Sequence, residues 1–264
     1  MQIRKATKSD KKPILNFCQS PYSGVDYIAH VWDFWLKDGI FLAMDHKGKP
    51  IGVCHGSFSK NQVWIEGLRI NPKFRQKGHG SSLVLRAEQF AKKRHYKISR
   101  MIISNGNKKS IRLAKSLGYV MEDKWNLYNL KPRKKQSQVI IASNPKQLVN
   151  LLDFGIYSES WKWFTIDKFT ITNLIKEKKV LVFIKNKKTL AVGIWNDSTI
   201  DNDVLQIGYL NGTKTGMKNI LYYVQNKGYE QNSRRIQILA QQKTKLQMKD
   251  LDKRMLFCLM KKIL

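Results

Sequence analysis

The chain has few acids, few cysteines and no long apolar run. Of its 264 residues only 19 are Asp or Glu, against 49 Lys or Arg. The three cysteines, Cys18, Cys54 and Cys258, are odd in number and widely spaced, which excludes a disulfide framework and the paired spacing of a structural zinc site. No apolar stretch approaches the ~18 residues of a membrane span; the longest are pieces such as 180–184 and 256–260. The first twelve residues are polar and basic, without the apolar segment of a secretory leader. The expectation is a cytoplasmic protein in a reducing compartment, with no metal and no membrane partner.

What is present sets the other limits. A hydrophobic content of 42% excludes a wholly disordered chain, and the length allows about two domains with real cores. The net charge is +30, of which residues 1–135 carry +19 and residues 136–264 carry +11. Such a field concentrates anions, so nucleic acid, ribosomes, acidic proteins and a phosphate-rich cofactor are all consistent partners. A solvated lysine surface, in a chain also rich in Asn, Ile and Gln, is equally consistent.

The pattern along the chain is α/β. A strand is expected over 2–6, a helix from Ser9 to about Cys18, and a second helix over 27–37, where Ile28, Val31, Trp32 and Trp35 share one side and Gly39 ends it. Strands are expected next at 40–45, 51–58 and 63–70, then a helix over 81–96, a strand over 97–103, a helix over 107–117 closed by Gly118, and a strand over 125–130. Residues 131–138 hold no apolar side chain and read as a basic linker.

The half of the chain after the linker loosely repeats the half before it. Gln138 to Ser143 echoes Gln2 to Thr7 at an offset of 136, and Trp161 and Trp163 echo Trp32 and Trp35. A helix over 145–152, a hairpin of 180–184 and 189–195, a strand over 204–210, a helix over 214–227 and strands over 235–239 and 255–263 complete the second series. Two copies of one unit, 1–135 and 136–264, account for the order better than one large domain.

The most specific stretch runs from Trp64 to Ser82. A strand enters a loop reading Arg75-Gln76-Lys77-Gly78-His79-Gly80 and passes directly into a helix. Unpaired backbone N–H groups and the positive end of the helix then converge on one point, which suits a phosphate. Gly78 and Gly80 permit close approach of the backbone, and Lys73, Arg75 and Lys77 add countercharge.

This stretch resembles the acetyl-CoA site of the GNAT superfamily of N-acetyltransferases. The family signature is Arg or Gln, two residues, Gly, one residue, Gly or Ala, after a strand ending in a Leu-x-Val-x-Pro-like pattern. Leu68-Arg69-Ile70-Asn71-Pro72 and Arg75 to Gly80 fit it, and Asn107, Ser110, Leu113 and Gly118-Tyr119 are similar to a second family element. The resemblance covers residues 1–130. It implies two tandem GNAT-like domains, each a mixed, mostly antiparallel sheet flanked by helices, the first catalytic and the second degenerate, serving the acceptor side or docking.

By that resemblance, backbone N–H groups of Gln76, Lys77, Gly78, His79, Gly80 and Ser81 would hold the pyrophosphate of acetyl-CoA. The backbone of Leu68, Arg69 and Ile70 would pair with the pantetheine arm, and Asn107 would reach the cofactor from the other side. Gly67 within the strand marks a bulge that opens a slot for the thioester. Acetyl transfer to an amine needs a base, an oxyanion site and a leaving thiolate. Glu66 is the candidate base, expected on the face of Leu68 and Ile70 by strand parity, with a salt bridge to Arg69 or a lysine as the alternative. A backbone N–H near Leu68 or Arg69 would hold the oxyanion. Where many members place an acidic tyrosine, this chain has Ala114. Tyr119 reads as core, and His55 as either an assistant to the base or a packed residue.

The second copy has only Asn211-Gly212-Thr213-Lys214-Thr215-Gly216 in place of the signature. The expected function is transfer of acetyl from acetyl-CoA to a primary amine on a protein or small molecule. The alternative is a non-catalytic basic protein that binds nucleic acid or the ribosome.

Overall fold

In a computed structural model, residues 1–18, 26–148, 151–152, 155–198 and 203–264 are described. The first series of elements is β1 (Gln2–Lys5), α1 (Lys11–Leu15), α2 (Ile28–Trp35), β2 (Ile40–His46), β3 (Lys49–Ser59), β4 (Gln62–Ile70), α3 (His79–Lys93), β5 (Ile98–Ser104), α4 (Lys108–Ser116) and β6 (Val120–Leu130). The second is β7 (Val139–Ile141), β8 (Ile156–Glu159), β9 (Lys162–Thr165), α5 (Lys168–Lys176), β10 (Val180–Lys185), β11 (Lys188–Asp197), β12 (Val204–Gly212), α6 (Lys214–Glu230), β13 (Arg235–Gln241) and β14 (Asp252–Ile263).

These divide into two units. The first comprises Met1–Glu122 with Cys258–Leu264, and the second Asp123–Phe257. In the first, the strand order is β1-β2-β3-β4-β5 and then the end of β14. β1 to β4 are antiparallel neighbours, and β4 and β5 run parallel. Alternation along β2 sends Ile40, Leu42 and Met44 to one face, where Leu83, Val84 and Ala87 of α3 cover them. Phe41 and Ala43 go to the other face, beneath Ile14, Ile28, Trp32 and Trp35 of α1 and α2.

The second unit repeats this plan. Its order is β6-β13-β12-β11-β10-β7, with β12 and β13 the parallel pair. α6 covers one face through Ile220, Leu221 and Val224, and α5 covers the other through Ile171 and Leu174. The expected α/β fold of two like units is thus what the chain adopts.

Three local expectations differ. The helix from Ser9 to Cys18 is shorter: a turn at Lys8–Asp10 precedes α1, and the Asp10 carboxylate turns back to accept the Thr7 N–H at 2.8 Å. Trp161 and Trp163 do not form a helix like that of Trp32 and Trp35. They lie in a β8–β9 hairpin, turned at Ser160 and Trp161 with φ of 47° and 66°, and Trp163 is fully buried against Trp125. The helix over 145–152 is a short 3-10 turn at Pro145–Leu148, and residues 149–150 lie outside the described residues.

The units also end elsewhere than at residue 135. Trp125 to Leu130 of β6 pairs with β13 of the second unit, while Cys258 and Met260 of β14 are buried in the core of the first. The basic segment 131–138 is fastened along α6. Gln225 Nε2 donates to Lys131 O at 2.8 Å, and the Arg133 and Lys135 N–H groups donate to Gln225 O and Asn226 Oδ1 at 3.1 and 3.3 Å.

Candidate functional site

β4 carries a bulge where the sequence places Gly67. Val53 of β3 faces Arg69 and His55 faces Glu66, so Gly67 and Leu68 together stand opposite Cys54 alone. Gly67 has φ of +65°, and a Cβ there would lie 2.4 Å from the Trp35 ring. The bulge reverses the parity of the strand. Val63 and Ile65 before it, and Leu68 and Ile70 after it, all pack on the α3 side. Glu66 therefore lies on the opposite face, with His55 and Trp35, and the expectation that it shares a face with Leu68 and Ile70 is overturned.

Nor does Glu66 pair with Arg69. The Arg69 guanidinium grips Asp26 through Nε and Nη2 at 2.8 and 3.2 Å, and Nη1 donates to the Leu68 carbonyl at 3.1 Å. Glu66 Oε1 instead lies 3.0 Å from Nδ1 of His55, whose ring is fully buried and stacked on Trp35 at 4.5 Å. His55 Nε2 lies 2.9 Å from the carbonyl oxygen of Asp38. A carbonyl only accepts, so Nε2 carries a hydrogen. Sequence alone leaves His55 as either packed or assisting, and the structure brings it to Glu66. Sequence reasoning misses Asp38. Its only sequence signal is Gly39, whose φ is +58° and whose absent Cβ would fall 2.1 Å from Gly56 O; that close approach sets the turn against β3.

Beyond the bulge the strands part. β4 and β5 pair only over Gln62–Trp64 and Ile98–Arg100. From Ile65 to Ile70 the β5-facing backbone edge of β4 has no partner in β5, which leaves a slot bordered by strand backbone. At its end, Arg75 Nε donates to Ile70 O at 3.0 Å. Gln76 and Gly78 are both left-handed, with φ of 62° and 78°, and α3 begins at His79 with no side-chain cap. The N–H groups of His79, Gly80 and Ser81 therefore have no acceptor within the helix. Among the described residues, His79 Nε2 is buried without a partner.

The two glycines differ in what they do. A Cβ at Gly78 would meet nothing within 4 Å, so its backbone conformation is what demands glycine. A Cβ at Gly80 would stand 3.1 Å from Leu113 and 3.6 Å from Leu68, so its smallness seats α3 between β4 and α4. Asn107 accepts the Ser110 N–H at 3.1 Å as the cap of α4 and is otherwise exposed. Lys73 and Lys77 are exposed beside the loop.

No tyrosine hydroxyl stands at the Ala114 position, which is fully buried. Tyr119 is core, as its place in the sequence indicated. It donates to Glu88 Oε1 at 2.7 Å and meets Ser99 Oγ, and burial pushes its hydroxyl well above the ordinary range. Burial pushes the Cys54 thiol up to about 12 and the Cys18 thiol up to about 11. Both stay protonated near neutrality, so neither is a nucleophile for acyl transfer.

The corresponding place in the second unit differs in two respects. A Cβ on Gly208 of β12 would overlap Ser158 O of β8 at 1.6 Å. The Thr213 Oγ1 caps α6 by accepting the Gly216 N–H at 3.1 Å. Among the described residues no His, Cys, Asp or Glu group could hold a metal, and no helix is long and apolar enough to cross a membrane.

Residues 12–119 match the acetyltransferase (GNAT) family. The chain is 30% identical over 135 residues to an uncharacterised N-acetyltransferase of Methanocaldococcus jannaschii; the match takes in 44% of this chain and spans 59% of that relative's length. A GCN5-related N-acetyltransferase of Sphaerobacter thermophilus has the same fold over 99% of this chain and 95% of its own, with a TM-score of 0.65 and 11% identity. Another from Anabaena variabilis aligns over 99% of this chain and 72% of its own, with a TM-score of 0.52 and 13% identity.

Proposed function

Because residues 12–119 of this chain match the acetyltransferase (GNAT) family, we propose that the first unit transfers an acetyl group from acetyl-CoA to a primary amine by direct attack. The observation that carries this is the pairing of an uncapped α3 N-terminus, after Arg75 to Gly80, with the unpartnered edge of β4. The residues fit the coenzyme. The N–H groups of His79, Gly80 and Ser81 point at one place, the ring of His79 holds an orphaned buried nitrogen, and the space over Gly78 is open. The β4 edge would pair with the pantetheine amides, and Asn107 would approach from α4. Acetyl-CoA would supply the acetyl group as a thioester.

Glu66 would take the proton of the attacking amine, and its Oε1 is held by His55 from below. Asp38 O fixes the His55 ring by accepting from Nε2, and Trp35 fixes its plane. The Glu66 carboxylate is thereby positioned on a rigid strand, not on a loop. An N–H at Leu68 or Arg69 would receive the developing oxyanion. With Ala114 in place of a tyrosine the sulfur would leave without a side-chain acid, and a thiol of pKa about 8.5 tolerates this. The side-chain cap on α6, where α3 has none, favours a single coenzyme site, in the first unit.

Calorimetry with acetyl-CoA and product assays on an amine panel test the proposal. Glu66→Gln should keep coenzyme affinity and lower the rate about 100-fold. His55→Gln should lower kcat and alter the pH–rate profile without changing that affinity. An unchanged rate and profile in Glu66→Gln would remove it as the base.

A further inference from the structure

The second unit has a pocket that acetyl transfer does not use. It measures about 380 Å³ and is lined by Lys135, Lys218, Tyr222, Gln247, Met248, Lys249 and Asp250. Lys135 Nζ lies 5.3 Å and Lys218 Nζ 5.5 Å from the centre of the Tyr222 ring. Asp250 is already paired with Arg133 at 3.1 Å. Lys135 and Lys218 thus flank one aromatic ring, and Lys249 adds a third positive charge to a lining whose one acid is that paired Asp250.

These charges are not carried on a loose tail. The strap holding Lys135 is tied to α6 by Gln225 and Asn226, and the Arg133–Asp250 pair ties the same strap to the loop that carries Lys249. Three ammonium groups gathered on backbone that is already held favour a phosphate, because less of the chain remains to be ordered on binding. A tyrosine face, a polarisable thioether and the Gln247 amide beside them suit a planar heterocycle with polar edges. An acidic peptide would use the lysines but not the ring.

We propose that this pocket binds a nucleotide unit, with its phosphate on Lys135, Lys218 and Lys249 and its base on Tyr222. The same chemistry is offered by a free nucleotide and by one residue of a single-stranded nucleic acid. The site is independent of the acetyl-transfer reading, since all its residues lie in the second unit, between Asp123 and Phe257.

The test is fluorescence anisotropy of the full chain with a labelled single-stranded RNA, in the absence of acetyl-CoA, across a salt series. Replacing all three lysines, K135Q/K218Q/K249Q, should reduce the slope of log affinity against log salt by about 2, at ~0.7 per phosphate contact. Tyr222→Leu, which keeps apolar bulk, should weaken binding about tenfold, and Tyr222→Trp should retain it. Melting curves identical to the parent exclude misfolding as the cause. Competition by AMP in proportion to its occupancy of the pocket assigns a free nucleotide, and resistance to AMP with displacement by unlabelled strand assigns the nucleic acid. Equal displacement by polyglutamate, together with unchanged binding in Tyr222→Leu, would overturn the proposal in favour of an acidic protein.

Discussion

Gly67 is the residue on which the site's geometry turns. Its positive φ produces the bulge, the bulge moves Glu66 onto the face of His55, and the missing Cβ leaves room for Trp35. Gly67→Ala should destabilise the first unit by about 2–4 kcal/mol, from an unfavourable left-handed backbone and an overpacked contact. In a double-mutant cycle with Trp35→Ala, part of that loss should vanish, because only the steric component involves the ring. Thermal denaturation of the four proteins measures both effects. At this scale the sequence was legible in residue type and misleading in direction. A glycine in a strand announced a bulge, and a lone acid marked the candidate base. Parity counted straight through the bulge placed that acid on the wrong side, and nothing local to Glu66 marked its partner eleven residues earlier.

At the scale of elements, the loop and the start of α3 divide their labour between two glycines. Gly78→Ala should lower acetyl-CoA affinity through the altered loop, with a stability loss of only about 1–2 kcal/mol, since the added methyl has open space. Gly80→Val should lower the melting temperature as well, since it drives α3 away from Leu113 and Leu68. Calorimetry and melting curves on the pair separate binding from packing. Near the end of the first unit, Glu122 meets Arg100 through two bonds of 2.8 and 2.9 Å and Lys261 at 3.2 Å. Burial pushes the Glu122 carboxyl up, but the two cations outweigh it and hold it below the ordinary value of 4.5. A lowered carboxyl stabilises the fold above its unfolded pKa, and that stability is lost as pH falls through the folded value. Stability should therefore drop on acidification below about pH 4.5, and Glu122→Gln should flatten that decline while costing about 3 kcal/mol near neutrality. Urea melts from pH 7 to pH 3 read this directly. Most elements were legible because their apolar spacing is regular and their ends are marked, as at Gly39 and Gly118. The β8–β9 hairpin was not, because its turn is made by Ser160 and Trp161 in left-handed conformations, with no glycine to mark it.

The whole molecule is joined in a way that composition and periodicity cannot express. β6 and β14 alternate alike, and only long-range pairing decides that residues 125–130 serve the second unit and residues 258–264 the first. A linker placed at 131–138 by its polarity was sound as composition, yet the segment is pinned to α6. Removing residues 252–264 should abolish both a cooperative melt of the first unit and acetyl-CoA binding. The deletion takes Cys258 and Met260 from its core and Lys262 from the buried Glu88, which it meets at 2.6 Å. Circular dichroism with calorimetry on the truncated chain decides this.

That arrangement has a bearing on how the protein comes into being. The strand that closes the first core is translated more than a hundred residues after the rest of it, so the early half must wait, collapsed but unfinished, while the second unit emerges. A nascent chain interrupted anywhere before β14 would therefore carry the Arg75–Gly80 loop without a finished body to hold it.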